Sequence, residues 1–250
     1  MEFKLKELDI VFNEKEHTYL LNKELVPSVT TITGMLPKGE GLLRWAAKEA
    51  VKCVGEHWSP DTPYSEAYIN DILELGKSAF RRKTGAAASR GTVAHNWYEQ
   101  FIKTGIEPPM PEDPQIKNSI EKFKQWLSQN DVKWIASEVI VASEKFKFAG
   151  KLDAIAVING RVCLVDFKTG SGVYMEHFVQ TSGYVIGLEE MGFSEIQDRW
   201  ILRFPKTGDD FEAVKVPNDL DDDKKLFLFC LGMQRTLDEV KKKNKAQGRK

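Results

Sequence analysis

The chain has 250 residues, 42% of them hydrophobic, enough to bury one sizeable core with helical additions or at most two small ones. A formal net charge of -1 excludes a global basic field for nucleic acid, so any such binding must rest on local patches. Cys53, Cys163 and Cys230 lack C-x-x-C spacing, no apolar run approaches the ~20 residues of a membrane span, and the start MEFKLKELDI has no signal-peptide core. A cytoplasmic protein without structural zinc or a membrane partner is therefore expected.

In chain order, Phe3 to Phe12 and Thr18 to Val26 alternate as a small β element, the second segment bent at Asn22-Lys23. Ser28, Thr30 and Thr31 then precede a helix, where hydroxyls either cap the free amides or contact phosphate. Helical periodicity covers residues 40 to 56 and 65 to 84, joined by a turn at Ser59-Pro60-Asp61-Thr62-Pro63. Arg81-Arg82-Lys83 with Arg90 is the densest basic cluster of this half, read either as a solvated helix end or as a DNA contact.

A separate helix over about 89 to 104 puts His95 and Glu99 on one face, with Ala94, Trp97, Tyr98 and Phe101 on an apolar side. A proline-rich linker, Pro108 to Pro114, leads to a helix over 114 to 130 with Ile116, Ile120, Phe123 and Leu127 inward. Trp134 to Ala142 then alternates as a strand containing Glu138, read as an exposed position. His17, His57 and His177 read as structural.

The richest stretch is Gly150 to Gly170, two apolar runs separated by Asn159-Gly160. Asn-Gly favours a type I′ turn because both central positions need positive φ, so the runs are expected to pair antiparallel. If those two residues form the turn, Ile158 faces Arg161, every further pair sums to the same value, and Asp153 falls opposite Asp166. Facing carboxylates repel, so a cation is expected between them. Lys168 lies on the same face as Asp166, as do Val162 and Leu164. Two acids and a lysine at the mouth of a hairpin suit one or two hard divalent cations, Mg²⁺ or Mn²⁺.

Beyond the hairpin, a helix over 174 to 191 places Gln180 and Tyr184 on one face, with Gly183 and Gly187 allowing close approach. Ile196 to Pro205 and Phe211 to Val216 read as a second hairpin around Lys206-Thr207-Gly208-Asp209-Asp210. A last helix, about 219 to 244, starts acidic and ends in Lys241-Lys242-Lys243.

Asp153 followed by Asp166-Phe167-Lys168 resembles the motif of the PD-(D/E)XK nuclease superfamily. Arg90-Gly91-Thr92-Val93-Ala94-His95 is similar to the G-x-x-x-H helix of its RecB-type exonuclease branch, which includes phage and bacterial members. Gln180-Thr181-Ser182-Gly183-Tyr184 is similar to that branch's Q-x-x-x-Y helix, and Phe148 to Asp153 follows its small-Gly-x-x-Asp pattern. Leu152 stands where the superfamily's proline would be, as is common in this branch.

The resemblance implies an α/β fold, a mixed central β-sheet flanked by helices (a restriction-endonuclease-like core) with an N-terminal β and helical elaboration. Residues 1–86 would form that elaboration within one globule, 87–218 the core, and 219–250 a C-terminal helix and basic tail. It implies a metal-dependent DNA nuclease, more an exonuclease than an endonuclease, acting on a single strand or a duplex end in recombination, replication or repair. Asp153, Asp166 and His95, with the Phe167 carbonyl, would hold the metal, and Lys168 would serve catalysis. Gln180, Tyr184, Glu138 and Glu99 would support the site, while Ser28, Thr30, Arg81, Arg82 and Arg90 would lie near DNA. Three cysteines cannot supply the four-cysteine iron–sulfur cluster of some relatives. A non-catalytic DNA-binding module with a degenerate site, or a structure-specific endonuclease, is the alternative.

Overall fold

The computed structural model describes residues 3–59, 61–62, 65–205, 208, 211–217 and 221–248. Of the expected turns, Pro60, Pro63, Lys206, Thr207, Asp209 and Asp210 lie outside the described residues, as do Asp219 and Leu220 at the expected start of the last helix. The chain divides into two compact units, residues 1–36 with 94–250, and residues 37–93.

The first unit opens with β1 (Ile10–Asn13), β2 (Thr18–Leu21) and β3 (Glu24–Val26), a three-stranded antiparallel sheet in that order. The expected single bent segment over 18–26 is two strands. Asn22 and Lys23 both take positive φ, 52° and 66°, and form a two-residue hairpin turn, an unusual position for a lysine. The short helix α1 (Val29–Thr33) follows, its Ser28 hydroxyl accepting from the Thr31 amide at 3.0 Å, so Ser28 is an N-cap.

In the second unit, α2 (Gly39–His57) packs against the early turns of α3 (Glu66–Thr104), where a Cβ on Gly76 would come within 2.9 Å of Val54. α3 is continuous where two helices, 65–84 and 89–104, were expected. Ala86-Ala87-Ala88 are strong helix formers, and an isolated glycine such as Gly85 or Gly91 costs a helix only about 1 kcal/mol. From Ala94 onward α3 belongs to the first unit.

α4 (Pro114–Ser128), capped by Asp113, leads into β4 (Val132–Ser143), β5 (Phe148–Ile158) and β6 (Arg161–Lys168). α5 (Met175–Glu190) then crosses over to β7 (Asp198–Arg203), followed by β8 (Glu212–Pro217) and α6 (Asp221–Ala246). The five strands lie in sequence order, antiparallel except for the parallel pair β6–β7 that the α5 crossover requires. The fold is thus mixed α/β, a five-stranded mixed sheet and a three-stranded antiparallel sheet flanked by helices.

Both faces of the large sheet are buried, and β6 shows how its sequence divides between them. Val162 and Leu164 join a core with α5 and α6, whereas Cys163, Val165 and Phe167 join an aromatic core with α4 and the end of α3. Gly183 permits the α5–α6 contact, since a Cβ there would sit 2.5 Å from the Phe227 ring. Gly187 likewise lets α5 approach Val141 of β4. The three cysteines are free and buried, and among the described residues no helix is long and apolar enough to cross a membrane.

Candidate active site

The Asn159-Gly160 turn forms with positive φ at both residues, 50° and 81°, and sets the expected register from Ile158–Arg161 to Ala154–Val165. Pairing stops there, one step before Asp153 and Asp166. The amide of Phe167 instead donates to Asp153 Oδ2 at 2.7 Å, so a carboxylate occupies the place of the strand's next acceptor. Leu152 and Ala154, two apart, join opposite cores, so the alternation of β5 also breaks at Asp153.

On the other side of Asp153 the β4 ladder skips Glu138, the residue that faces it in register. Glu138 has φ 53°, a left-handed conformation that a non-glycine residue rarely adopts. The expected exposed strand glutamate is therefore a correction. Its side chain is 17% exposed and ion-paired with Lys151, which lies over the Phe12 ring. Burial raises its pKa, with Asp153 and Glu99 adding to the rise while Lys151 opposes it.

His95, on α3, reaches Asp153 with its Nδ1 at 3.6 Å from Oδ1. Its ring packs edge-on to Phe167 and near Tyr98. Burial alone would lower the imidazole pKa, but the charge and hydrogen bond of Asp153 raise it. For Asp153 burial acts upward, and His95, Lys168 and the Phe167 amide outweigh it, so its pKa is lowered. Glu99 is engaged by Lys103 one turn on, and among the described residues no hydrogen bond joins it to His95.

Asp166 is the opposite case. It is 1% exposed, and its Oδ2 stands 2.7 Å from Lys168 Nζ without a well-directed hydrogen bond. Burial, helped by the charge of Asp153 and opposed by Lys168 and His95, pushes its pKa up to about 6. Lys168 Nζ also donates to Gln180 Oε1 at 3.1 Å, and Gln180 Nε2 donates to the Tyr184 hydroxyl at 2.8 Å. One continuous chain of polar contacts thus runs from Tyr184 on α5 to Asp166 on β6.

Gly150 lets Tyr184 reach this place. A Cβ there would lie 2.8 Å from both Tyr184 Cε1 and Val29 Cγ2, so helix α1, helix α5 and strand β5 converge on a bare α-carbon. In the arrangement found, no three His, Cys, Asp or Glu side chains among the described residues are grouped to hold a metal ion. Each carboxylate has its own partners, Asp153 the His95 imidazole and the Phe167 amide, Asp166 the Lys168 ammonium. The donor set, two carboxylates and an imidazole with one buried carboxylate oxygen lacking a directed bond, nevertheless has the chemistry that Mg²⁺ or Mn²⁺ takes.

The structure therefore brings together Asp153, Asp166, Phe167, Lys168, His95, Gln180, Tyr184 and Glu138. Ser28 and Thr30 bond to each other beside β5, where Ser28 forms a bridge with Ala149. Arg81, Arg82 and Arg90 belong to the second unit, where Arg82 binds the Leu75 carbonyl and Cys53 Sγ. Sequence reading missed Lys151 as the partner of Glu138, although its place two residues before Asp153 was a signal. It also missed Glu212, which accepts from the Val173 amide at 3.1 Å and pairs with Arg203, tying down the loop after Lys168. No local pattern announces that tie, because it joins segments far apart in the chain.

No protein-family model and no curated protein matches the chain. Among solved structures it is similar to the protein SSO0001, at 14% identity over 75% of this chain and 82% of that one, with a TM-score of 0.33. It is also similar to an alkaline exonuclease from Laribacter hongkongensis, at 10% identity over 82% of this chain and 98% of that one, with a TM-score of 0.32.

Proposed function

We propose that the chain is a metal-dependent deoxyribonuclease that hydrolyses phosphodiester bonds, acting as an exonuclease on a single strand or a duplex end in recombination, replication or repair. The observation that carries this reading is the Asp166 carboxylate, fully buried, next to Asp153 and 2.7 Å from a lysine, with one oxygen lacking a directed bond. Lys168 offsets part of the cost of burying this charge, yet the carboxyl pKa still rises to about 6, so the charge is not fully compensated.

In this reading Asp153, Asp166 and His95, with the Phe167 carbonyl, would hold Mg²⁺ or Mn²⁺, which when bound polarises a phosphate and lowers the pKa of water. Lys168 Nζ positions the attacking water and offsets negative charge developing on the phosphate. Gln180 holds that ammonium in place, and Tyr184 holds Gln180. Asp153 keeps His95 in its orientation, and Glu138 with Lys151 sets the charge around Asp153. The match of Asp153, Asp166-Phe167-Lys168 and Gln180 to Tyr184 with RecB-type motifs supports the same reading.

The test is incubation with end-labelled linear and circular DNA, single-stranded and duplex, in Mg²⁺, Mn²⁺ or EDTA, beside Asp166→Ala. Metal-dependent shortening of linear DNA by the native protein alone is the expected result. Cutting of circles would make it an endonuclease, and cleavage by Asp166→Ala at the native rate would overturn the assignment.

A further inference from the structure

Between Lys168 and helix α5 the chain crosses a short loop, residues 169–173, and reaches Tyr174, the residue that opens the helix. Tyr174 is 50% exposed, yet it is held at several points. Its hydroxyl shares a hydrogen bond with the Ser171 hydroxyl at 2.7 Å, and its ring meets the His177 imidazole edge-on at 5.7 Å. A Cβ on Gly172 would stand 3.3 Å from the ring, which therefore lies against bare backbone. The Tyr174 amide donates to His177 Nδ1 at 3.1 Å, and its carbonyl accepts from the His177 amide at 2.9 Å. Glu212 holds the loop itself through the Val173 amide. A ring fixed in this way has little freedom left to lose when a flat partner lies on it.

Its place and its surroundings say what that partner is. His177 lies near enough to Lys168 to feel the ammonium charge, so the ring beside it stands at the edge of the group formed by Asp153, Asp166 and Lys168. A strand whose phosphate reaches that group brings its neighbouring nucleotides past this edge, since a DNA strand rises only ~3.4 Å per nucleotide. The surface met there is apolar, Tyr174 with Met175, which is 65% exposed. A phosphate does not suit it, because Glu176 in the first turn of α5 opposes an anion at the helix end. A nucleobase does, because every base has a π-face that stacks on an aromatic side chain. Inside a duplex both faces of a base are covered by its neighbours, so the base that lies on Tyr174 is unpaired.

We infer, resting on the nuclease reading of the same site, that Tyr174 is a stacking platform for an unpaired nucleobase of the strand being cut. That base lies within a few nucleotides of the scissile phosphate. The platform favours single strands and frayed ends over closed duplex, whatever their sequence.

The test uses the full chain in EDTA with a short single strand carrying 2-aminopurine, whose fluorescence falls on stacking, at successive positions, beside the same strand annealed to its complement. The native protein is expected to quench the probe at one place in the single strand and nowhere inside the duplex. Tyr174→Ala should keep its circular dichroism spectrum, lose that quenching and bind the single strand about 5- to 150-fold more weakly. Tyr174→Phe and Tyr174→Trp should keep both properties. An abasic nucleotide at the quenched position should weaken binding by the native protein as much as Tyr174→Ala does and weaken the variant no further, because both changes remove one contact. Quenching that survives in Tyr174→Ala, or an equal abasic loss in both proteins, overturns the inference. Repeating the series with Mg²⁺ or Mn²⁺ separates it from the nuclease reading. Cleavage of linear DNA without quenching at a fixed place overturns the platform alone, and quenching that depends on Tyr174 without cleavage in either metal overturns the nuclease reading alone. A protein that neither binds nor cuts DNA in any of these conditions loses both.

Discussion

The two ends of the β5–β6 hairpin are built on different principles. At the turn, Asn159 and Gly160 fix the geometry by themselves through positive φ, with Asn159 Oδ1 accepting from the Asp131 amide and Nδ2 donating to Asn130. At the mouth, pairing fails on both sides of Asp153, the Asp153 carboxylate takes the Phe167 amide, and side chains from α3, β4 and α5 gather around the charges. The turn is stable because its residues suit it. The mouth gathers charges that do not suit burial, and such an arrangement persists in a fold mainly where function requires it.

The sharpest way to separate the two ends is Lys168→Ala, which should lower turnover about 10²- to 10⁴-fold while DNA binding persists. Single-turnover rates with a binding isotherm would show it, and an equal loss of both would make Lys168 merely structural. Asp166→Asn should abolish cleavage yet raise the melting temperature. The sign follows from its raised pKa. Between about pH 4 and about 6 the folded state holds this proton more tightly than the unfolded one, so stability falls as pH rises through that window, and at neutral pH the charged group is a burden. A melting temperature that falls would contradict the assignment.

Gly183→Ala drives a Cβ into the Phe227 ring and should cost about 1–3 kcal/mol, or more if α6 cannot shift; urea unfolding checks it. At the turn, Asn159→Ala should cost only about 1 kcal/mol with activity per folded molecule unchanged, because the lost residue tolerates positive φ and touches no charge at the mouth. The smallest effect is expected at His177. Burial, with Lys168 nearby, pushes its pKa down to about 4, so the unfolded chain binds its proton more tightly and stability is lost as pH falls from about 6.5 towards 4. His177→Gln should flatten that part of the pH–stability curve, and an unchanged slope would remove the assignment.

What the sequence made legible follows the same division. The hairpin register, the β6 alternation and the Gln180–Tyr184 face were readable because each depends on neighbours within a few residues. Asn22-Lys23 hid its turn because lysine gives no sign of positive φ, and the two helices expected over 65–84 and 89–104 are one because Ala86-Ala87-Ala88 carry the helix through. Glu138 was misjudged because strand alternation assumes unbroken pairing, and the ladder opens at that residue. The link from Glu212 to the loop after Lys168 exists only once β8 has paired with β7.

The central claim is that the mouth is a cation site, and thermal unfolding of the native protein and of Asp166→Asn, each with and without Mn²⁺, tests it without relying on cleavage. A ligand that binds only the folded state raises its stability, by about 2.7 kcal/mol at a hundredfold excess over its dissociation constant. The native protein should gain melting temperature with Mn²⁺ and the variant should not. Equal shifts in both, or no shift in either, would place the cation elsewhere or nowhere and contradict the account.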